Sequence, residues 1–197
     1  MRDWWTERHS DGKNSYLGDS AGIAVWKFFG LEDYIKSEAV ILNVGVGTGR
    51  CTKDLKDKGV KELHVLDITD AAIEKVKDIA VGYTTPQDLP DNKFDLIISH
   101  LVVQHINDEE LLFHLGHYLR SLKNAGFAAL QFRDTLEDKG GQSFITQRSG
   151  RVCRSQLDMR NLIDKVGGKI LKWLKTEEIT VVDGALPVLW HGVYIIK

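Results

Sequence analysis

Proline is scarce in this 197-residue chain, with only 3, and no stretch is of low complexity. Neither a proline-rich linker nor a disordered tail is expected. Cysteine is scarcer still, with Cys51 and Cys153 far apart and no ligand pattern around either. That usage fits a reducing, cytoplasmic setting better than a disulfide framework. No apolar run approaches the ~20 residues that span a bilayer. The opening segment Met1-Arg2-Asp3-Trp4-Trp5-Thr6-Glu7-Arg8 has no apolar signal core. An excess of one charge sign is also missing: the formal net charge is −2. Nothing in the balance therefore favours nucleic acid or an anionic membrane as a partner. What remains, 43% hydrophobic and 27% charged residues, is ordinary for one globular domain.

From residue 38 onward the chain alternates short apolar runs with helical patterns. Ala39–Val44 is apolar and ends in glycines, as a strand buried on both faces should. A helix is predicted from Thr48 to about Lys58, stopped by Gly59. The run Leu63–Leu66 ends at Asp67, after which Thr69 or Asp70 caps a helix carrying Ala72, Ile73, Val76 and Ile79. Further strands are expected at Val81–Thr84, Phe94–Ser99 and Phe127–Phe132, the last preceded by a turn at Asn124-Ala125-Gly126. Asn107 or Asp108 caps a helix with Leu111, Leu112, Leu115, Leu119 and Leu122 on one face, and Ser155 opens another that ends at Gly167-Gly168. Lys169–Ile179 and Val188–Ile196 flank a turn at Asp183-Gly184-Ala185 and should pair as an antiparallel hairpin. The fold class is α/β: a doubly wound, mostly parallel seven-stranded sheet with a C-terminal antiparallel hairpin and helices on both faces. Before Ala39, the aromatics Trp4, Trp5, Tyr16, Trp26, Phe28, Phe29 and Tyr34 suggest helices outside the sheet. Trp26, Phe28 and Phe29 are expected to cover the core, and Trp4, Trp5 and Tyr16 to form a lid over a ligand.

The first strand runs into Asn43-Val44-Gly45-Val46-Gly47-Thr48-Gly49 and then a helix. Glycines let a ligand approach the backbone, and the helix N-terminus offers amide donors. Alone this pattern is shared by dinucleotide-binding domains. Asp67, about 20 residues later, suits ribose hydroxyls. Arg50 and Cys51 follow Gly49 in place of the third glycine of a dinucleotide loop, which argues against nicotinamide and flavin cofactors. Asp88, in Gln87-Asp88-Leu89-Pro90, is placed to accept from an adenine amino group or to serve as a solvated turn residue.

These segments, with Phe94-Asp95-Leu96-Ile97-Ile98-Ser99-His100-Leu101-Val102-Val103-Gln104-His105, resemble successive motifs of the Rossmann-like S-adenosylmethionine-dependent methyltransferases over roughly residues 38–132. The resemblance implies that Gly45, Gly47 and Gly49 pack against the methionine portion and the ribose of S-adenosylmethionine. Asp67 would hold the ribose hydroxyls, Ile68 would lie on an adenine face, and Asp88 with the Leu89 backbone would read the adenine edge. His100 falls where the family often places a polar group near the methionine end. Asn43 departs from the commoner acidic residue and lacks the charge that attracts an ammonium group. The resemblance also implies one methyltransferase domain over 1–197: an N-terminal helical lid (1–37), a cofactor core (38–135), a substrate-side insertion and helix (136–168) and the terminal hairpin (169–197). S-adenosylhomocysteine would be the product, and no metal is expected.

For the acceptor, His100 and His105 are the candidate bases, although a structural or cofactor-contacting role suits each of them better, and Gln104 suits orientation of the substrate or of the methionine end. His114 and His117 lie three apart but lack further metal ligands. Arg148, Arg151 and Arg154, with Arg160, Gln142, Gln147 and Gln156 nearby, follow the fifth strand, where planar guanidinium forks suit phosphate or carboxylate. The expectation is methyl transfer to an O or N atom of a small, anionic metabolite or sugar, with Trp4, Trp5, Tyr16, Gln104, Arg148, Arg151 and Arg154 contacting it. An NAD(P)-dependent oxidoreductase and a catalytically silent, partner-binding subunit of the same fold stay open. Nucleic-acid methylation is disfavoured by the missing Asn/Asp-Pro-Pro-aromatic signature and the lack of basic charge.

Overall fold

The computed structural model describes residues 3, 5–7, 25–135, 144–145, 151–175 and 188–197. Strand β1 (Val40–Val44) is buried along its whole length, because it lies at the middle of a sheet covered on both faces. It pairs in parallel with β2 (Glu62–Leu66) on one side and β4 (Phe94–Ser99) on the other. β3 (Val81–Tyr83) pairs with β2, and β5 (Leu122–Thr135) with β4, also in parallel. β8 (Lys169–Lys175) and β9 (Val188–Ile196) form an antiparallel pair, and β9 inserts antiparallel beside β5. The seven-stranded order is β3-β2-β1-β4-β5-β9-β8, with β6 (Phe144–Ile145) and β7 (Val152–Cys153) in a separate two-stranded ribbon. The direction of winding reverses between β1 and β4, and in doubly wound sheets that reversal opens a ligand crevice at the carboxyl ends of the strands. The expected seven-stranded, mostly parallel sheet with its C-terminal antiparallel pair is what the chain forms.

Alternation along the strands divides the core in two. Leu42, Ile97 and Leu130 face α4 (Asp108–Ser121) and α5 (Gln156–Lys165), meeting Leu111, Leu115, Tyr118, Met159 and Ile163. Ile41, Leu96, Ile98 and Ala129 face the opposite way, toward α2 (Arg50–Asp57) through Leu55 and toward Trp26, Phe29 and Leu31 around α1 (Val25–Phe28). Burying each such side chain contributes about 1.5–3 kcal/mol. Trp26 and Phe29 thus cover the core as expected, and Tyr194 of β9 donates its hydroxyl proton to Phe29 O. Asn107 is the cap of α4, and both helices open on a capping box: Asn107 with Glu110 on α4, and Ser155 with Asp158 on α5.

Three local expectations change. Asn124-Ala125-Gly126 is not a turn between elements but a bulge inside β5, where Phe94 faces Leu122 and Leu96 already faces Phe127. The helix after Thr69 is one α-turn, α3 (Asp70–Ile73), continued as a 3-10 turn over Glu74–Val76, because the chain must re-enter the sheet at Val81. Thr69 stands at the N-cap position of α3, yet its hydroxyl donates to Asp67 Oδ1 instead of capping the helix. The turn at 183–185 and the expected extended segment 176–179 lie outside the described residues.

Candidate active site

The glycine turn adopts backbone conformations that side chains disfavour and glycine does not. Gly45, Gly47 and Gly49 have φ of 80°, 57° and 85°, all left-handed. A Cβ on Gly45 would lie 2.3 Å from Val102 Cγ2, on the loop that follows β4. Gly45→Ala is therefore expected to destabilise the fold by about 1–3 kcal/mol through overpacking, checked by thermal unfolding. An unchanged midpoint would show that the two loops separate freely.

Asp67, immediately after β2, binds this turn to the next element. Its Oδ2 accepts from Val46 N at 2.8 Å and Gly47 N at 3.4 Å, and its Oδ1 accepts from Thr69 N at 3.0 Å and Thr69 Oγ1 at 2.9 Å. The carboxylate is only 8% exposed. Lys75 Nζ donates to Gly47 O at 3.3 Å from above the turn. Asn43 is buried and directs its amide to Thr52 Oγ1 at 3.1 Å, so it braces β1 against α2. Its neutral side chain fits that task, since an amide can donate to the hydroxyl oxygen. Ile68 is half-buried beside Asp67, Asp88 is exposed at the end of the 3-10 turn Pro86–Asp88, and Leu89 is buried with its carbonyl accepting from Arg120 at 2.8 Å. These residues all lie at the carboxyl edge of β1, β2 and β3.

A second group gathers at the ends of β4 and β5. Ser99 ends β4, and His100 follows it beside the Phe28 and Phe29 rings, at centroid distances of 5.4 and 6.2 Å. Burial, with the Arg50 charge adding to it, pushes the His100 imidazole down to about 4. Leu101 adopts φ 60°, unusual for a branched residue, and its N–H donates to Gln131 Oε1 at 3.0 Å. Gln104, 4% exposed, points its amide nitrogen at Leu101 O (3.4 Å) and at His105 Nε2 (3.2 Å). The carbonyl contact sets the amide orientation, so Gln104 donates, His105 Nε2 accepts, and the ring proton sits on Nδ1. Gln104 Oε1 is buried with no hydrogen-bond partner among the described residues. Trp5 meets the His105 ring edge-on at 5.0 Å. Burial first, then the charges of Arg151 and Arg133, push His105 down to about 4. Both histidines are thus neutral at pH 7.

Arg154 has a different place from the expected one at the acceptor. It is 1% exposed and donates to Asp108 Oδ1 at 2.8 Å, Val103 O at 2.9 Å and Ile106 O at 2.7 Å. Those bonds hold the loop carrying Gln104 and His105 against the start of α4. Arg151 is half-buried and shares the neighbourhood of His105 and Arg133. Trp4, Tyr16, Arg148, Gln142 and Gln147 lie outside the described residues, while Arg160 sits over the Trp173 ring at 5.9 Å. His114 Nδ1 meets the Tyr118 hydroxyl at 2.9 Å, and no group of three metal-ligating side chains converges among the described residues. Gln131 and Arg133 complete the site without having been anticipated. Their signal is a polar pair two apart at the end of an otherwise apolar strand. Thr52 and Lys75 carried none.

A family profile for a methyltransferase domain matches residues 42–130. An uncharacterized methyltransferase of Geobacillus sp. is 30% identical over 151 residues, 68% of this chain and 70% of that protein. Another, of Anoxybacillus flavithermus, is 32% identical over 136 residues, 66% of this chain. The chain spans about half the length of some curated relatives it matches, 45% and 59% in two cases. The fold is shared with 1,6-didemethyltoxoflavin-N1-methyltransferase of Burkholderia thailandensis, at TM-score 0.72 and 15% identity over 100% of this chain and 87% of that one. That protein was solved with S-adenosylhomocysteine and 1,6-didemethyltoxoflavin bound. Motifs, strand order and relatives agree, and the chain belongs to the Rossmann-like S-adenosylmethionine-dependent methyltransferase family.

Proposed function

We propose that this chain transfers a methyl group from S-adenosylmethionine to an O or N atom of a small, anionic metabolite or sugar. The observation that carries this reading is the Asp67 carboxylate, bonded to the glycine-turn amide of Val46 at 2.8 Å at the edge where the sheet reverses direction. A methyl donor with an adenosine at one end and an amino acid at the other suits that turn: bare glycine backbone for close approach, and Asp67 for ribose hydroxyls. Gly45, Gly47, Gly49, Asp67 and Ile68 would line the nucleoside side, with Asp88 and the Leu89 backbone at the adenine edge. His100, and Asn43 behind the turn, would lie toward the methionine end.

When bound, the sulfonium supplies an electrophilic methyl with a good leaving group, so positioning supplies much of the catalysis. Gln104 and His105 are the residues suited to position the acceptor. The spare Gln104 Oε1 can accept from an acceptor O–H or N–H. His105, neutral and with its ring proton on Nδ1, offers Nε2 as a proton acceptor only if Gln104 yields it. Trp5 closes over His105 from the N-terminal segment, in keeping with a lid.

Titration calorimetry with S-adenosylmethionine, S-adenosylhomocysteine and NAD is the deciding measurement. Saturable binding of the first two and none of NAD is expected. Binding of NAD alone would reverse the reading in favour of the oxidoreductase.

A further inference from the structure

The 3-10 turn Glu74–Val76, which continues α3, packs against the glycine turn. A Cβ on Gly49 would lie 2.8 Å from Val76 Cγ1 and 3.9 Å from Lys75 Cβ. Val76 is buried and fills the place that a side chain at residue 49 would need. Lys75 carries its ammonium over the same turn and donates from Nζ to Gly47 O at 3.3 Å. Gly47 is therefore held at both ends: its N–H donates to Asp67 Oδ2 at 3.4 Å, and its carbonyl accepts from Lys75. Partial desolvation lowers the Lys75 ammonium from its usual range, Asp67 opposes that shift, and Lys53 adds to it. Lys53 also reaches the turn, with Cε 3.7 Å from the Gly49 Cβ position. Among the described residues it makes no hydrogen bond there.

Both bonds on Gly47 are long, and glycine has more backbone freedom to lose than any other residue. One contact alone leaves the neighbouring peptides free to turn. Two contacts from opposite ends fix the N–H groups of Val46 and Gly47 toward Asp67, and with them the carboxylate that receives the ribose. Ordering of that kind before a ligand arrives raises affinity, since less freedom is lost on binding. We infer that Lys75 is a positioning residue for S-adenosylmethionine, acting through the Gly47 carbonyl and Asp67. This assignment rests on the methyltransferase reading of the same turn. It gives the 3-10 turn a task, with Val76 seating Gly49 and Lys75 gripping Gly47. The sign of the effect separates this role from a bare charge effect. S-adenosylmethionine is net positive, with a sulfonium and an ammonium against one carboxylate, and S-adenosylhomocysteine is net neutral. A lysine acting only as a charge would oppose the first and leave the second unmoved, so its loss would tighten S-adenosylmethionine. Loss of a brace weakens both alike.

The test is calorimetric titration of the full chain with S-adenosylmethionine and S-adenosylhomocysteine, together with the backbone amide NMR signals of Gly47 and Thr48. Lys75→Met keeps the aliphatic stem and removes the donor. It is expected to weaken both ligands by about five- to tenfold, as fits one partly exposed hydrogen bond. It should also shift the Thr48 amide, whose peptide carries the Gly47 carbonyl. Lys75→Arg restores a cationic donor and should return both affinities to within about threefold of wild type. Lys53→Met removes the neighbouring charge without a bond to the turn, and should leave both affinities within about twofold. All three variants should melt close to wild type, because both lysines are exposed. Unchanged or tighter binding in Lys75→Met, no recovery in Lys75→Arg, or equal weakening in Lys53→Met would overturn the assignment. So would a Thr48 amide that stays in place in Lys75→Met. If the wild-type chain binds neither ligand, the methyltransferase reading fails, and the amide signals alone decide whether Lys75 braces the turn.

Discussion

Asp67→Ala is expected to weaken S-adenosylmethionine binding by roughly 100- to 1,000-fold in a calorimetric titration. In the proposed site the carboxylate makes two kinds of bond at once. It would accept from ribose hydroxyls, and it already accepts from Val46 N and Gly47 N of the glycine turn. A hydrogen bond to a charged group is worth about 1.5–3 kcal/mol, and each 1.4 kcal/mol is about tenfold in affinity, so two lost bonds reach the stated range. The Val46 and Thr69 amides would also lose their acceptor, and the turn would lose its anchor to β2. Asp67→Asn should fall between the two, because one oxygen remains while the new NH2 faces N–H groups that also donate. An unchanged Kd in the alanine variant would remove Asp67 from the cofactor site and leave it as a turn-bracing residue.

Arg154→Met should produce the largest loss of stability, about 3–5 kcal/mol, as expected when one partner is deleted from a buried ionic and hydrogen-bonded site. For a chain of this length that corresponds to a drop of about 10 °C in the thermal midpoint, read by calorimetry. Methionine matches the length but supplies no donor, so Ile106 O loses the Arg154 donor and Val103 O keeps only the Ile106 N–H at 3.5 Å. The loop between them carries Gln104 and His105, so cofactor-independent melting and loss of activity should travel together. A variant that melts like the wild type but shows a raised acceptor KM would restore Arg154 to the substrate.

Most of the sheet was legible in the sequence because its signals are local. The run 39–44 before three glycines, the helix starts at Asn107 and Ser155, and the extended run Val188–Ile196 each announce an element within one or two turns of chain. The misreadings arose where a distant partner decides. Arg154 looks like a surface cation until the carbonyls of Val103 and Ile106, some fifty positions earlier, are brought to it. Thr69 reads as a cap, but its hydroxyl faces a carboxylate two residues back, which is the stronger acceptor. Asn124-Ala125-Gly126 reads as a turn, but β4 passes so close that a Cβ on Gly126 would lie 2.6 Å from Phe94 O, and the segment is absorbed as a bulge. The histidines were found by position, at the end of β4. Their neutral state depends on packing by Phe28, Phe29 and Trp5, which no spacing reveals.

The insertion of β9 between β5 and β8 has a consequence for how the molecule assembles. Until β9 arrives, β5 presents an open edge from Ala128 to Thr135, with Leu130 and Phe132 among its side chains. Such an edge templates pairing with any other extended chain. Its proper partner lies some sixty positions away, and non-local pairing of that kind is slow to find. The half-built sheet is therefore the species most prone to aggregate, and slower synthesis at low temperature should favour the native strand over a neighbour's.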